Sequence, residues 1–363
     1  MTRGDLLAAL RGRTLAACIE SGRDNMTALR LLAALLVLLG HSYVLSATAT
    51  VASDPLHRLL GNTYSHFIGV MMFFAISGLL ITLAWQRRPQ IGYFLRSRAL
   101  RILPALLVCV SACALILGAA ATTLPLHDYF AAPATWAYIA GNASLIDLRW
   151  TLPGVFAANP STDFVNGSLW TLPIEAGLYL VVAAIGLAGL LTRQRWLATL
   201  VIAILATIWL AKPLTAERPL ATDAILVSFF VFGALCCIHR AVLPISTAAL
   251  IALAAVAWSV RDSLLYAPLL GLWIAYATLW LAYVPRIPQI RFGDLSYGTY
   301  LWGFPVQQAL IHWFEARSAW EIFFYATPVA LLLAAASWHL IEQPALRLKN
   351  PRARQAASPR TAG

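Results

Sequence analysis

The sequence predicts an all-α, polytopic integral membrane protein with about ten transmembrane helices. Of its 363 residues, 60% are hydrophobic and 11% are charged, whereas a soluble domain carries about 25% charged residues. The mean hydropathy is +0.74. Apolar runs of spanning or nearly spanning length lie at about 29–50, 67–85, 102–124, 168–191, 196–212, 221–238, 242–260, 264–283, 295–313 and 320–341.

The basic residues orient these runs. With the N-terminus in the cytoplasm, 20 of the 26 Lys and Arg residues fall on the cytoplasmic side and six fall outside. Membrane proteins concentrate basic residues in cytoplasmic loops, so this asymmetry favours ten spans with both termini in the cytoplasm. The net charge of +11 then reflects membrane orientation, and we expect no nucleic-acid partner.

One membrane domain is predicted, with a short segment on either side of it. Residues 1–28 form a cytoplasmic segment, in which Met1–Asn25 is expected to be an amphipathic helix at the membrane surface. Residues 29–342 form the transmembrane domain. Residues 343–363 are rich in Pro, Ala and Arg and are predicted to be a disordered cytoplasmic tail.

The first run carries an arginine and a histidine on one helical stripe. Arg30 and His41 are eleven residues apart, and eleven steps of about 100° return to within about 20° of the start, about 16 Å along the axis. A histidine near the middle of a membrane is costly and marks a functional site by default. The alternative is a histidine satisfied by a neighbouring serine or backbone carbonyl inside the bundle.

The fourth run carries a carboxylate. Glu175 lies roughly 13 Å inside the predicted outer end of this run, at a depth expected to match that of His41. Together the two groups suggest a paired acid–base site or a proton pathway. A structural ion pair between Glu175 and an arginine is the alternative.

Arg98 and Arg101 are three residues apart and share one helix face at the predicted cytoplasmic surface. Guanidinium groups at this spacing suit a polyphosphate, and Arg30 is expected in the same layer. Setting the membrane topology is the other explanation for these arginines. Asp294 and Glu342 are predicted at the same surface, where they would pair with the Arg98 and Arg101 cluster in a structural role.

Two further features have both a structural and a functional interpretation. Small residues such as Ser77 and Gly78 allow helices to approach closely, although Ser77 could also line a site near His41. The long external loop at 125–164 mixes aromatic and acidic side chains. These suit either a sugar ligand or an ordinary aromatic belt at the membrane surface. The five cysteines do not suggest a disulfide, and no metal site is predicted.

Six motifs follow one another along the chain. They are Arg30 and His41 with ten residues between them, Phe73-Phe74-x-x-Ser77-Gly78, Arg98-x-x-Arg101-Ile102-x-Pro104, Ser168-Leu169-Trp170-Thr171-Leu172-x-x-Glu175, Ser296-Tyr297 with Tyr300, and Ile341-Glu342-x-Pro344. In order and spacing they resemble the membrane-bound acyltransferase-3 family, which includes O-antigen and other polysaccharide O-acetyltransferases. The similarity covers about residues 25–348.

The resemblance implies an O-acyltransferase of the bacterial inner membrane. Such an enzyme would move an acetyl group from cytoplasmic acetyl-CoA to a hydroxyl of a cell-envelope glycan or its lipid-linked precursor. The expected site has catalytic His41 and Glu175, donor-binding Arg30, Arg98 and Arg101, and substrate-binding Ser77, Trp170 and Tyr297. Gly303 stands where many members of the family carry a histidine, so no role of that histidine carries over.

The expected partners are acyl-CoA, a glycan or glycolipid acceptor and the lipid bilayer, and a homo-oligomer is compatible with the sequence. A proton-coupled transporter is the competing class, since His41 and Glu175 could relay protons, but no inverted repeat is visible. A non-catalytic scaffold would leave both groups without a purpose. The enzyme hypothesis requires one passage from the arginines to His41, and an imidazole walled off by packed side chains would count against it.

Overall fold

The computed structural model describes residues 12–193, 196, 199, 202, 220–290 and 292–349, and these residues are mostly helical. The described strands are β1 (Arg13–Thr14) and β2 (Pro244–Ile245). The helices in chain order are α1 (Leu15–Glu20), α2 (Met26–Leu45), α3 (Pro55–Leu60), α4 (Ser65–Arg87), α5 (Ile91–Ala112), α6 (Leu126–Ala131), α7 (Pro133–Ser144), α8 (Thr171–Leu187), α9 (Leu190–Arg193), α10 (Leu220–Ile238), α11 (Thr247–Ser259), α12 (Tyr266–Tyr283), α13 (Ser296–Phe314), α14 (Ala319–Ser337) and α15 (Gln343–Arg347).

Five helical segments of the described chain are long and apolar enough to cross a membrane. They are Met26–Leu45, Ser65–Arg87, Ile91–Ala121, Tyr266–Tyr283 and Ala319–Arg347. Shorter apolar helices, α8, α10 and α11, occupy further predicted runs. The fifth predicted run, 196–212, lies almost wholly outside the described residues. The protein is therefore a mostly helical membrane protein, whereas the predicted count of ten spans is not confirmed.

Two of the long segments contain π-helical turns. Helix α5 continues through a π-helical segment at Cys113–Gly118 as far as Ala121. Helix α14 continues through a second one at Trp338–Glu342 directly into α15. The helical path at this end therefore extends to Arg347, five residues beyond the predicted end of the transmembrane domain at Glu342.

Helix α4 is the centre of the bundle. It packs against α2 and α10 over much of its length, and it also contacts α8 and α12. Glycines allow these backbones to approach closely, because a side chain at Gly69 would collide with the Ala33 backbone of α2 and one at Gly78 with the Phe230 backbone of α10. The packing role predicted for small residues is therefore confirmed for Gly78.

Helix α2 ends earlier than the predicted run 29–50. The backbone turns into an extended conformation at Ser46. The Ser46 hydroxyl oxygen there accepts hydrogen bonds from the backbone N–H groups of Thr48 (3.1 Å) and Ala49 (3.0 Å). His41 therefore lies about 6 Å from the end of its helix instead of near the middle of a span.

The described part of the N-terminal segment differs from the expected surface helix. Strand β1 pairs antiparallel with β2, and α1 has only six residues. The N–H groups of Leu15 and Ala16 donate to the carbonyl oxygens of Leu243 (2.8 Å) and Arg240 (2.9 Å). Because Leu15 and Cys18 are buried, this part of the segment packs onto the protein.

Candidate active site

A cavity lies between α2, α4, α5, α8 and α13, and we call it the arginine cavity. Six of the predicted site residues line it, namely Arg30, Ser77, Arg98, Arg101, Glu175 and Tyr297. Other lining residues include Phe73, Tyr179 and Tyr300. The fold thus brings three arginines and one carboxylate from distant parts of the sequence to one place.

Two of the three arginines are held by carboxylates at the edge of the cavity. Arg101 lies 2.5 Å from Asp294 and 3.4 Å from Glu342, and Arg30 lies 3.3 Å from the same oxygen of Asp294. The Asp294 and Glu342 side chains are 10% and 2% exposed. The predicted pairing with these acids is therefore confirmed for Arg101, and Arg30 joins the same network.

A tight turn positions Asp294 at the start of α13. Gly293 has a φ of +96°, which side-chain-bearing residues rarely adopt. Asp294 then accepts a hydrogen bond from the Ser296 hydroxyl at 2.6 Å. Burial raises the pKa of Asp294, but the charges of Arg101 and Arg30 and the Ser296 hydrogen bonds outweigh this effect, so the pKa lies below its ordinary value. Asp294 is therefore a fixed anion between two guanidinium groups.

Arg98 is differently placed from the other two arginines. Its Nε donates to the Ser97 hydroxyl at 3.2 Å, and within the described residues it forms no ion pair with a carboxylate. The predicted pairing with Asp294 and Glu342 is therefore not observed for Arg98. Lys349 adds positive charge to this region. Burial, followed by the charges of Arg98 and Arg101, lowers the pKa of Lys349 to about 8.

Glu175 is bound by hydroxyl groups. It accepts hydrogen bonds from Tyr179, one turn further along α8, at 2.5 Å and from Ser77 of α4 at 3.0 Å. Its expected alternative, an ion pair with an arginine, does not occur among the described residues. Glu175 therefore contributes a hydrogen-bonded carboxylate to the wall of the arginine cavity.

His41 lies in a different environment. Its ring stacks on that of His66 at a centroid distance of 5.6 Å, and the ring of Phe304 meets it edge-on at 5.2 Å. Within the described residues it makes no hydrogen bond, and the neighbouring Ser42 donates to the Leu38 carbonyl instead. The alternative of a histidine satisfied by a serine or a carbonyl is therefore not observed.

The structure does not show the predicted contact between His41 and Glu175. His66, which contacts His41, and Ser77, which contacts Glu175, are eleven residues apart on α4, or about 16 Å along its axis. Glu175 lines the same cavity as Arg30, whereas His41 lies eleven residues, or about 16 Å, further along α2, so the equal depths expected from the apolar runs are not observed.

Two aromatic rings contact each other in the wall of the arginine cavity. His66, Val70, Phe73 and Ser77 follow one another on one face of α4, and the last three line the cavity. The Phe73 ring meets that of Tyr300 of α13 at 5.8 Å and an interplanar angle of 77°. His41 does not line the cavity, so the single passage expected from Arg30 to His41 is not open in this structure.

Hydroxyl contacts fix Tyr300 in this position. Its hydroxyl donates to the Ser168 carbonyl at 2.6 Å and lies 2.5 Å from the Thr171 hydroxyl. Trp170, predicted to bind substrate, packs partly buried beside the apolar core and does not line the cavity. Gly303 faces the Leu38 side chain of α2, which leaves little room for a larger residue.

Three residues in or near the candidate site were not identified from the sequence. Tyr179 lies four residues after Glu175, so helical spacing alone could have indicated it. His66 precedes the predicted second run, 67–85, by one residue and was excluded by that boundary. Gln307 is fully buried and donates to the Leu38 carbonyl and the Ser42 hydroxyl, both at 2.7 Å, and no sequence signal pointed to it.

The loop at 125–164, which was predicted to be external, satisfies many of its own polar and aromatic groups. Arg149 pairs with Asp147 at 2.5 Å, and Trp150 stacks on Phe164 at a centroid distance of 5.7 Å. The Trp136 indole donates to the Phe130 carbonyl at 2.9 Å. These contacts fit an ordinary interfacial loop and leave the sugar interpretation as an untested prediction.

Comparison with known proteins places these residues within one family. A family model described as an acyltransferase domain matches residues 23–339. The chain is 27% identical over 343 residues to a protein named O-acetyl transferase of Shigella phage Sf6, covering 89% of this chain and 96% of the phage protein. It is 28% identical over 370 residues to Nodulation protein 10 of Rhizobium leguminosarum bv. viciae, covering 90% and 94% of the two chains.

No solved structure matches the chain. The segment matched by the family model contains His41, the three arginines of the cavity, Glu175 and Asp294. Since the match spans most of the sequence, the protein belongs to the acyltransferase-3 family and is an acyltransferase.

Proposed function

We propose that the protein is an integral-membrane O-acetyltransferase. It transfers an acetyl group from cytoplasmic acetyl-CoA to a hydroxyl of a cell-envelope glycan or its lipid-linked precursor. The observation that carries this proposal is a cavity with three converging arginines in a chain of the acyltransferase-3 family. The relative named O-acetyl transferase supports the choice of acetyl and of an oxygen acceptor.

The arginine cavity is the donor site of this proposal. Asp294 holds Arg30 and Arg101 in fixed positions, and Arg98 can bind a phosphate without breaking an ion pair with a carboxylate. Guanidinium groups bind phosphate oxygens through charge-assisted hydrogen bonds. The 20:6 division of basic residues supports a position of this end of the bundle at the cytoplasmic face of the bacterial inner membrane, where acyl-CoA is available.

Glu175 belongs to the donor side. With Ser77 and Tyr179 it forms a hydrogen-bonded polar patch in the cavity wall, which suits the amide groups of a pantetheine arm. We therefore assign Glu175 to donor binding and not to the catalytic role expected from the sequence.

His41 is the general base of the proposed reaction. Only the neutral imidazole can accept a proton from a hydroxyl, and the described ring contacts of His41 are with His66 and Phe304, with no ion pair to a carboxylate among the described residues. Its place near the end of α2 that faces away from the arginines lets an acceptor approach from outside. Both direct transfer and transfer through an acyl-imidazole fit this position.

The Phe73–Tyr300 contact must open during transfer. These rings contact each other in the wall of the donor site, and His41 does not line it, so we propose that they move apart when an acetyl thioester passes to the base. A rotation of the Phe73 side chain about its rotatable bonds is the smallest such movement.

The test is acetyl transfer by the full-length protein in nanodiscs, with radiolabelled acetyl-CoA and the lipid-linked glycan fraction of the host. We expect His41→Ala to lower kcat by about 100-fold or more while acetyl-CoA still binds. His57→Ala is the matched control, because His57 stacks on Tyr64 two rings away from His41. Wild-type rates from folded His41→Ala, or a wild-type protein that binds no acetyl-CoA, as expected of a transporter, would end the proposal.

A further inference from the structure

A second imidazole stands beside His41. The His66 ring is inclined by 25° to that of His41, and its other face stacks on Tyr64 at 5.8 Å and 9°. Neither Arg30 nor Glu175 contacts either histidine in the described structure. His66 is therefore the polar side chain that contacts the ring of the proposed base.

Gly40 determines how His66 is oriented. A side-chain carbon at Gly40 would lie 2.6 Å from the His66 Cβ and 2.7 Å from its Nδ1. Only a glycine leaves room for this ring against α2. The Nδ1 edge of His66 consequently faces the α2 backbone, and the opposite edge, with Nε2, points away from it.

The two ring nitrogens of His66 are not equivalent. Nδ1 is buried and has no hydrogen-bond partner among the described residues, whereas Nε2 is not among the buried unpartnered atoms. A hydrogen on Nδ1 would be a buried donor without an acceptor, which folded proteins avoid. The favoured neutral tautomer therefore carries its hydrogen on Nε2.

We propose that the Nε2–H group of His66 donates a hydrogen bond to the thioester carbonyl oxygen as negative charge develops on it. This inference rests on the proposed function and adds a catalytic residue to it. A preorganised donor at such an oxygen is a recurrent means of stabilising acyl-transfer transition states. Stacked rings 5.6 Å apart allow one tetrahedral centre to lie against the nitrogen edges of both.

The acceptor oxygen forms a bond to the carbonyl carbon while its proton passes to His41, and the carbonyl electron pair moves onto the oxygen held by His66. When the carbonyl re-forms, the carbon–sulfur bond breaks, and the departing thiolate takes the proton from His41. His66 keeps its own hydrogen throughout, so it acts as a donor and not as a second base.

Three substitutions separate this role from simple ring stacking. The side-chain amide nitrogen of His66→Gln reaches the place of Nε2, that of His66→Asn reaches the place of Nδ1, and His66→Phe keeps an aromatic ring without a donor. We expect kcat to fall by about 100-fold or more in the Asn and Phe variants, with Gln at least tenfold faster than either. Acetyl-CoA affinity should be unchanged in all three.

Wild-type kcat in His66→Phe, or an Asn variant as fast as the Gln variant, would overturn the assignment. ¹⁵N NMR of histidine-labelled wild-type protein tests it without any substitution, since the hydrogen must be found on Nε2, and a hydrogen on Nδ1 would contradict it. Failure of the proposed function and failure of this inference can be told apart. A wild-type protein without acetyl transfer refutes the proposed function, whereas an active wild type with an equally active His66→Phe refutes only this inference.

Discussion

The arginine cavity and the surroundings of His41 differ in charge: ion pairs lie at the cavity, and aromatic rings surround the imidazole. In the cavity, Arg30, Arg101, Asp294 and Glu342 form one connected set of ion pairs with little exposure to solvent. Around His41 the described contacts are rings, and no ion pair reaches it. The first arrangement fixes charges where an anion can bind, and the second favours an uncharged imidazole. In the proposed function, donor binding and proton transfer therefore occur at separate places along α4.

Removing the charge of Asp294, the counterion that Arg30 and Arg101 share, should have the largest effect on the cavity. Asp294→Asn leaves Arg30 and Arg101 without the carboxylate that bridges them. Loss of one member of a buried ion pair costs about 3–5 kcal/mol, so we expect a large fall in the thermal unfolding temperature of the detergent-solubilised protein. His41 should be affected only through this loss of stability.

Asp262→Asn is the matched control, because Asp262 pairs with Arg261 at 3.7 Å on an exposed surface. Exposed pairs contribute about 0–1 kcal/mol, so its unfolding temperature should scarcely change. Equal stability of the Asp294 and Asp262 variants would contradict the division between an ion-paired cavity and the rest of the surface.

Arg98→Ala tests acetyl-CoA binding in a variant whose stability should be unchanged. Since Arg98 has no carboxylate partner among the described residues, its removal leaves no unpaired acid behind. We expect acetyl-CoA to bind about tenfold more weakly, which corresponds to roughly 1.4 kcal/mol, with an unchanged unfolding temperature. Arg96→Ala on the exposed side of the same helix should bind normally. Calorimetric titration measures both, and equal affinities would remove Arg98 from the donor site.

The smallest effect concerns pH. Lys349 has a pKa lowered to about 8 by burial and by Arg98 and Arg101, so it is charged below pH 8 and neutral above it. Its charge favours an anion in the cavity, and acetyl-CoA affinity should therefore decline about twofold as the pH rises from 7 to 9. Lys349→Met should bind equally across this range. A twofold decline that persists in Lys349→Met would assign the pH dependence to another group.

The sequence predicted the cavity better than it predicted the position of His41. Arg30, Arg98 and Arg101 converge as expected because basic residues next to apolar runs are confined to one membrane surface. The depth of His41 depended on where α2 ends, and that end is set by the hydrogen bonds of Ser46, which apolar periodicity does not encode. His66 was excluded because it lies one residue before the predicted start of the second run, 67–85. The Phe73–Tyr300 contact joins two helices that are far apart in sequence, and no local pattern predicts such a pairing.

The Phe73–Tyr300 contact also has a consequence for the bilayer. Water-filled entrances that met at the centre of the proposed topology would form a leak for protons and small ions. We expect the contact between the two rings to limit this leak and to open only while the thioester end of acetyl-CoA reaches His41. The nucleotide end of coenzyme A would stay at the arginines, so an outer sugar could be acetylated without discharge of the membrane potential.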